Sequence, residues 1–214
     1  MGAKTWMVVH SNGKVGEVLR DHPQLDRDAT LRFAGKLFPS DGLKPIGDGD
    51  LSFTCPPGDE VHAGCYPGVS IVAAKEFGID CPSKLPAKFI SAGGSGTVYL
   101  HAMHSVVDWL AFAYWVDGKL IRSLSLSPDS GIVEDLGQRL PFEEPFWSGK
   151  HPVTDDPKES YPLPFHPLEL GEVVLKEFFG YQLEGFGPVD SALLEPESIP
   201  LVRYKRKKSW LKFW

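Results

Sequence analysis

Residues 97–147 read TVYLHAMHSVVDWLAFAYWVDGKLIRSLSLSPDSGIVEDLGQRLPFEEPFW, and their patterning decides the fold. Val106 to Val116 is apolar at nearly every position and enriched in Trp, Phe, Tyr and Val, which favours a strand buried on both sides over a helix. Asp117-Gly118 then suits a tight hairpin turn whose two central residues take positive φ. A two-residue turn pairs Val116 with Lys119, and hence Ala113 with Arg122 and Trp109 with Leu126. That register gathers Trp109, Ala111, Ala113, Trp115, Leu120, Leu124 and Leu126 on one face. Asp108, Leu110, Phe112 and Tyr114 share the other with Ile121, Ser123, Ser125 and Ser127, and its polar end at Asp108 is where a site is expected. The reading is an α+β fold, a mostly antiparallel sheet centred on the 106–126 hairpin with a few covering helices.

Outward from this unit, Thr5 to His10 is a short β-like run closed by Asn12-Gly13, and Lys14 to Leu19 suits a helical turn or two. Asp26 to Phe38 reads as a helix, capped by Asp26 or Asp28, striped by Leu31, Ala34 and Phe38, and stopped by Pro39. Ser40 to Gly58 reads as loop. Glu60 to Ala74 reads as two strands broken at Pro67-Gly68, because proline cannot donate to a central ladder. Leu85 to Ala92 suits a short helix before the flexible Gly93–Gly96. Five prolines make 148–167 an extended wrapping segment, and Leu168 to Leu183 is a second helix with Leu170, Val173, Val174, Phe178 and Tyr181 toward the sheet. One domain is expected over 1–185, then an irregular extension over 186–202 and a basic, aromatic tail over 203–214.

The chain has 214 residues and a formal net charge of −6. The six cations of the tail leave −12 on the rest, which argues against general nucleic-acid binding by the body of the protein. Three cysteines without a CxxC pair indicate neither a zinc ribbon nor a disulfide framework. The opening MGAKTWMVVHSNG lacks the apolar core and cleavage site of a secretory signal, and no run of about 18 apolar residues could span a membrane. The expectation is a soluble cytoplasmic protein.

The strings MGAKTW, LDRDAT, GCYPGV, YLHAMHSVVDW, LSLSPDSGIVEDLG, LPFEEPFW and LPFHPLELGE together resemble an uncharacterised actinobacterial family, a domain of unknown function, over roughly Met1 to Gly185. The resemblance implies no activity, cofactor or catalytic residue. The DG-turn hairpin followed by EDLGQRLPFE also resembles hairpins in small bacterial α+β proteins, toxin-immunity families among them.

Five constellations carry candidate chemistry. His101, His104 and Asp108 could hold zinc or iron, the low-ranked alternative to no cofactor, although on a strand the two histidines point to opposite faces. With Ser105, His104 and Asp108 also form a conceivable catalytic triad, without a GxSxG elbow. Arg122 among apolar neighbours needs a carboxylate such as Asp108 or Glu134, or else recognises an anion; Glu134, Asp135, Glu143 and Glu144 form an acidic patch. In the tail, Lys205, Arg206, Lys207 and Lys208 with Trp210 and Trp214 suit an anionic membrane surface, nucleic acid or an acidic partner. The favoured function is a non-catalytic binding or interaction protein, regulatory or immunity-like, meeting an unidentified protein partner through aromatics near Phe142, Phe146 and Trp147. A metal-dependent hydrolase and a tail-driven membrane or nucleic-acid adaptor are the alternatives.

Overall fold

A computed structural model describes residues 2–154, 161–185 and 192–207. In chain order its elements are β1 (Lys4–Ser11), α1 (Val15–Arg20), α2 (Arg27–Leu37), β2 (Lys44–Asp50), β3 (Glu60–Tyr66), β4 (Val69–Ala73), α3 (Ala87–Ser91), β5 (Thr97–His104), β6 (Trp109–Val116), β7 (Lys119–Ser127), β8 (Gly131–Gly137), α4 (Glu144–Trp147), α5 (Pro167–Phe179) and β9 (Pro200–Lys205). The nine strands form one sheet in the order β2-β9-β3-β4-β1-β5-β6-β7-β8, every ladder antiparallel.

Helices cover both faces. On one, α2, α3 and the turns around Phe77 and Leu85 pack on Val8, Val61, Val72, Leu100, Ala111 and Ala113. On the other, α1 and α5 pack on Met7, Val9, Ile71 and Met103, and α4 with the segment holding Leu163 and Phe165 covers Leu110, Phe112, Leu124 and Leu126. Burial on both sides explains why the inner strands read as continuous apolar runs. Asp26 caps α2 by accepting from the Ala29 amide, and Thr30 Oγ1 accepts from the Cys65 amide, which fastens that helix to β3. Gly171 brings α5 close to the sheet: a Cβ there would lie 2.6 Å from Met103 Sδ.

Several expectations are corrected. The hairpin lies toward one end of the strand order and β1 occupies its centre, because β9, β3 and β4 extend the sheet on the far side. Strand β6 begins at Trp109, not Val106. Residues 105–108 form a turn in which Val106 and Val107 are exposed, and it ends at Asp108 in the left-handed region (φ 45°) that Asp tolerates better than most residues. The hairpin turn pairs Val116 with Lys119, but a bulge then places Tyr114, not Ala113, opposite Arg122, and Leu110 opposite Leu126. A one-residue slip exchanges faces, so Leu124 and Leu126 join Leu110 and Phe112, while Ser123 and Ser125 lie with Ala111 and Ala113.

Finally, two strands form where no strand is expected. β2, KPIGDGD, is an exposed edge with poor strand composition, held by its backbone ladder to β9. β9 cuts across the expected boundaries at 202 and 203 and inserts between β2 and β3, with Leu201, Val202 and Tyr204 buried. In α2 the buried side is Thr30, Ala34 and Leu37; Leu31 is exposed.

Candidate functional site

Strand alternation separates the expected metal ligands. His101 faces α5 and is fully buried. Its Nε2 meets the Gly171 carbonyl at 3.1 Å and its Nδ1 meets Thr5 Oγ1 at 2.6 Å. A carbonyl only accepts, so Nε2 carries the proton and Nδ1 accepts from the threonine hydroxyl. Burial lowers this histidine to about 3, so the ring is a neutral tie between β1, β5 and α5. His104 lies on the opposite face, half-buried, with Nδ1 accepting from the Val106 amide at 3.2 Å. Asp108 turns to His166, its Oδ2 3.6 Å from Nε2, while Tyr161 stacks on that imidazole. Burial and the nearby Asp108 carboxylate push Tyr161 up to about 12.

The three expected ligands therefore do not converge, and no group of three metal-ligating residues occurs among the described residues. The triad does not assemble either: Ser105 packs against Gly2 and donates its amide to the Ala3 carbonyl, with no hydrogen bond to His104 among the described residues.

Arg122 is a structural bolt. It is fully buried, donating Nε and Nη2 to the two oxygens of Glu143 at 2.9 and 2.7 Å. Its Nη1 reaches Asp135 and the Leu136 carbonyl on β8, and the Ser123 carbonyl. The expected partners Asp108 and Glu134 are replaced by Asp135 and Glu143. Glu134 instead accepts from Ser83 and Ser123. Fully buried and with its donors turned to Glu143, Asp135 and two backbone carbonyls, Arg122 has no face for an external anion.

The aromatic surface expected near Phe146 is largely core. Phe146 is buried between His151, stacked at 4.1 Å, and Phe165. Trp147 is half-buried against Phe165 and covered by the Arg139 guanidinium at 3.9 Å from its ring. Phe142 packs on Phe112 and Phe178.

The basic tail begins inside the fold. Arg203 pairs with Glu60, Lys205 with Asp59, and Arg206 with Asp41 and, bidentately, with Glu76 while lying over the Phe38 ring. Lys207 donates its amide to the Asp41 carbonyl. Lys208, Trp210 and Trp214 lie outside the described residues. These pairings commit cations that membrane or nucleic-acid binding would need free.

A cleft does form at the 105–108 end of the sheet, on the face opposite Asp108's contact with His166. Trp6, His104, Trp109 and Ser127 stand on the adjacent strands β1, β5, β6 and β7. The ladders put them on one face: His104 is directly opposite Trp109, and Trp6 lies diagonal to His104 with ring centroids 6.0 Å apart. Gly78, Asp80, Val107, Asp129 and Ser130 complete the lining of this open cleft of about 350 Å³. Gly78 has to be glycine for its backbone to lie against the indole, since a Cβ would stand 2.7 Å from the Trp6 ring. Both indoles are half-buried, and Trp109 Nε1 is covered, so that indole offers the cleft its hydrocarbon surface. Partial burial and the Lys4 ammonium lower His104, favouring its neutral form.

Sequence reasoning located the end of the sheet but missed Trp6, Asp80 and Asp129. Trp6 meets His104 only through the β1–β5 ladder, which no local pattern announces.

Residues 5–204 match the model of a family of unknown function, DUF6928, and the chain belongs to that family. The match runs through β9, beyond the boundary at Gly185 that the sequence strings suggest. No curated protein and no solved structure matches.

Proposed function

We propose that this protein is a non-catalytic binding protein that recognises a partner through the cleft floored by Trp6, His104 and Trp109. One observation carries the reading: two half-buried indoles and an imidazole stand on adjacent inner strands with a cleft above them. Tryptophan combines large contact area with little rotamer freedom, which is why it dominates recognition sites. The polar groups best equipped for chemistry support binding over catalysis, because His101, Arg122 and Glu143 hold elements together. A protein partner is the class we favour, and the reducing cytoplasm is the setting, in keeping with free Cys55, Cys65 and Cys81. No described helix is long and apolar enough to cross a membrane.

The test is a fragment titration followed on the indole N–H resonances, assigned through Trp6→Phe and Trp109→Phe variants. Fragments should perturb Trp6 and Trp109 first and lose affinity in the variants. Hits that move only residues remote from the cleft would overturn the proposal.

A further inference from the structure

Three aromatic rings of this protein lie under cations. Arg139 covers Trp147 at 3.9 Å, Arg206 covers Phe38 at 4.6 Å, and Lys88 lies over Phe89 at 4.5 Å and Phe38 at 5.7 Å. The attraction is electrostatic: a cation is drawn to the negative face of the ring, most strongly for tryptophan. No described cation lies over Trp6 or Trp109, and both half-buried indoles line the cleft. Asp80 and Asp129, both exposed, also line the cleft, and no ion pair of either is found among the described residues. Lys4 stands opposite His104 in the β1–β5 ladder, yet it is not among the residues lining the cleft.

We propose that the cleft takes an organic cation, an alkylammonium group whose charge faces Asp80 and Asp129 and whose methyl or methylene shell rests on Trp6 and Trp109. The proposal rests on the binding reading above and names its ligand class. Three features of the cleft fit it. The indoles supply apolar surface and a negative quadrupole together, as in aromatic cages for quaternary ammonium groups. The two carboxylates supply long-range attraction without a rigid fork, which suits a rounded ammonium better than a planar group demanding bidentate partners. At about 350 Å³ the space is at the small end of ligand sites, right for a head group rather than a whole cofactor. The same chemistry occurs in a methylated lysine of a protein and in a free choline-like molecule.

The experiment titrates the full chain with choline, with its uncharged isostere 3,3-dimethylbutanol, and with a peptide carrying one trimethyllysine, following the Trp6 and Trp109 indole signals. Choline should perturb both, and the isostere should bind at least about tenfold more weakly, since only the charge differs. An Asp80→Asn/Asp129→Asn double variant should weaken choline several-fold and leave the isostere unchanged. The peptide binding more tightly than choline assigns the cation to a protein partner, and the reverse assigns it to a small molecule; both orders uphold the class. Equal binding of choline and its isostere, or fragments binding the cleft while no cation does, overturns the cation class and leaves the cleft a binding site. Failure of every probe and every fragment at these indoles removes the binding reading itself.

Discussion

Lowering the pH from about 7.5 to about 5 makes the unfolded chain protonate imidazoles that the folded chain keeps neutral. His101 is the clearest case: fully buried, it falls from 6.5 to about 3. His10, edge-on to Phe33 and almost fully buried, falls to about 4 through the same loss of hydration. A histidine depressed in the folded state contributes stability in full above the unfolded value of 6.5, and that contribution is lost as pH falls toward the folded value. At about pH 5 the unfolded state gains roughly 2 kcal/mol from each such histidine, so the pair costs about 4 kcal/mol, a large part of an ordinary domain's stability. His62 and His104 are also lowered and act in the same direction, which is why a difference measurement is needed. Urea unfolding of the parent and a His101→Gln variant at both pH values isolates the residue. The variant should start less stable but lose about 2 kcal/mol less on acidification. In the parent, the His101 ring signals should stay those of a neutral imidazole down to about pH 5. Equal acid losses in the two proteins, or a His101 ring that titrates near its ordinary value, would refute the reasoning.

Other outcomes follow from the same contacts. Glu143→Gln leaves the buried Arg122 guanidinium without its main counter-charge and should cost about 3 kcal/mol in chemical denaturation, while Asp135→Asn, at a partly exposed carboxylate, should cost less. Gly171→Ala raises helix propensity yet drives a methyl into Met103, so a net loss of about 1–3 kcal/mol is expected in thermal or urea unfolding. Truncation after Val202 cuts β9 in half and should abolish cooperative unfolding, whereas truncation after Lys207 keeps the sheet and the Arg206–Glu76 pair; circular dichroism melts distinguish the two.

Much of the architecture was legible because it is written in local, periodic signals. The Asp117-Gly118 turn, the break at Pro67-Gly68 and the Asp26 cap each act through a few adjacent dihedrals or one backbone donor, and all are found where the sequence puts them. The alternation argument that set His101 and His104 on opposite faces also holds, since it follows from strand geometry alone.

What escaped depends on distance along the chain. The bulge near Ile121 inverts the faces of β7 without altering composition. β2 and β9 are strands because they find each other across some 150 residues, and the side chains of β2 carry little strand preference. Arg122 announced that it needs an acid, but only packing could choose Glu143 over Glu134. By itself the sequence determined the class of fold, the hairpin turn, the strand alternation and the demand that buried polar groups be partnered. Strand order, the identity of those partners and the cleft were decided by the tertiary structure, because Trp6, Asp80, His104, Trp109 and Asp129 meet only when β1 pairs with β5 in the middle of the sheet.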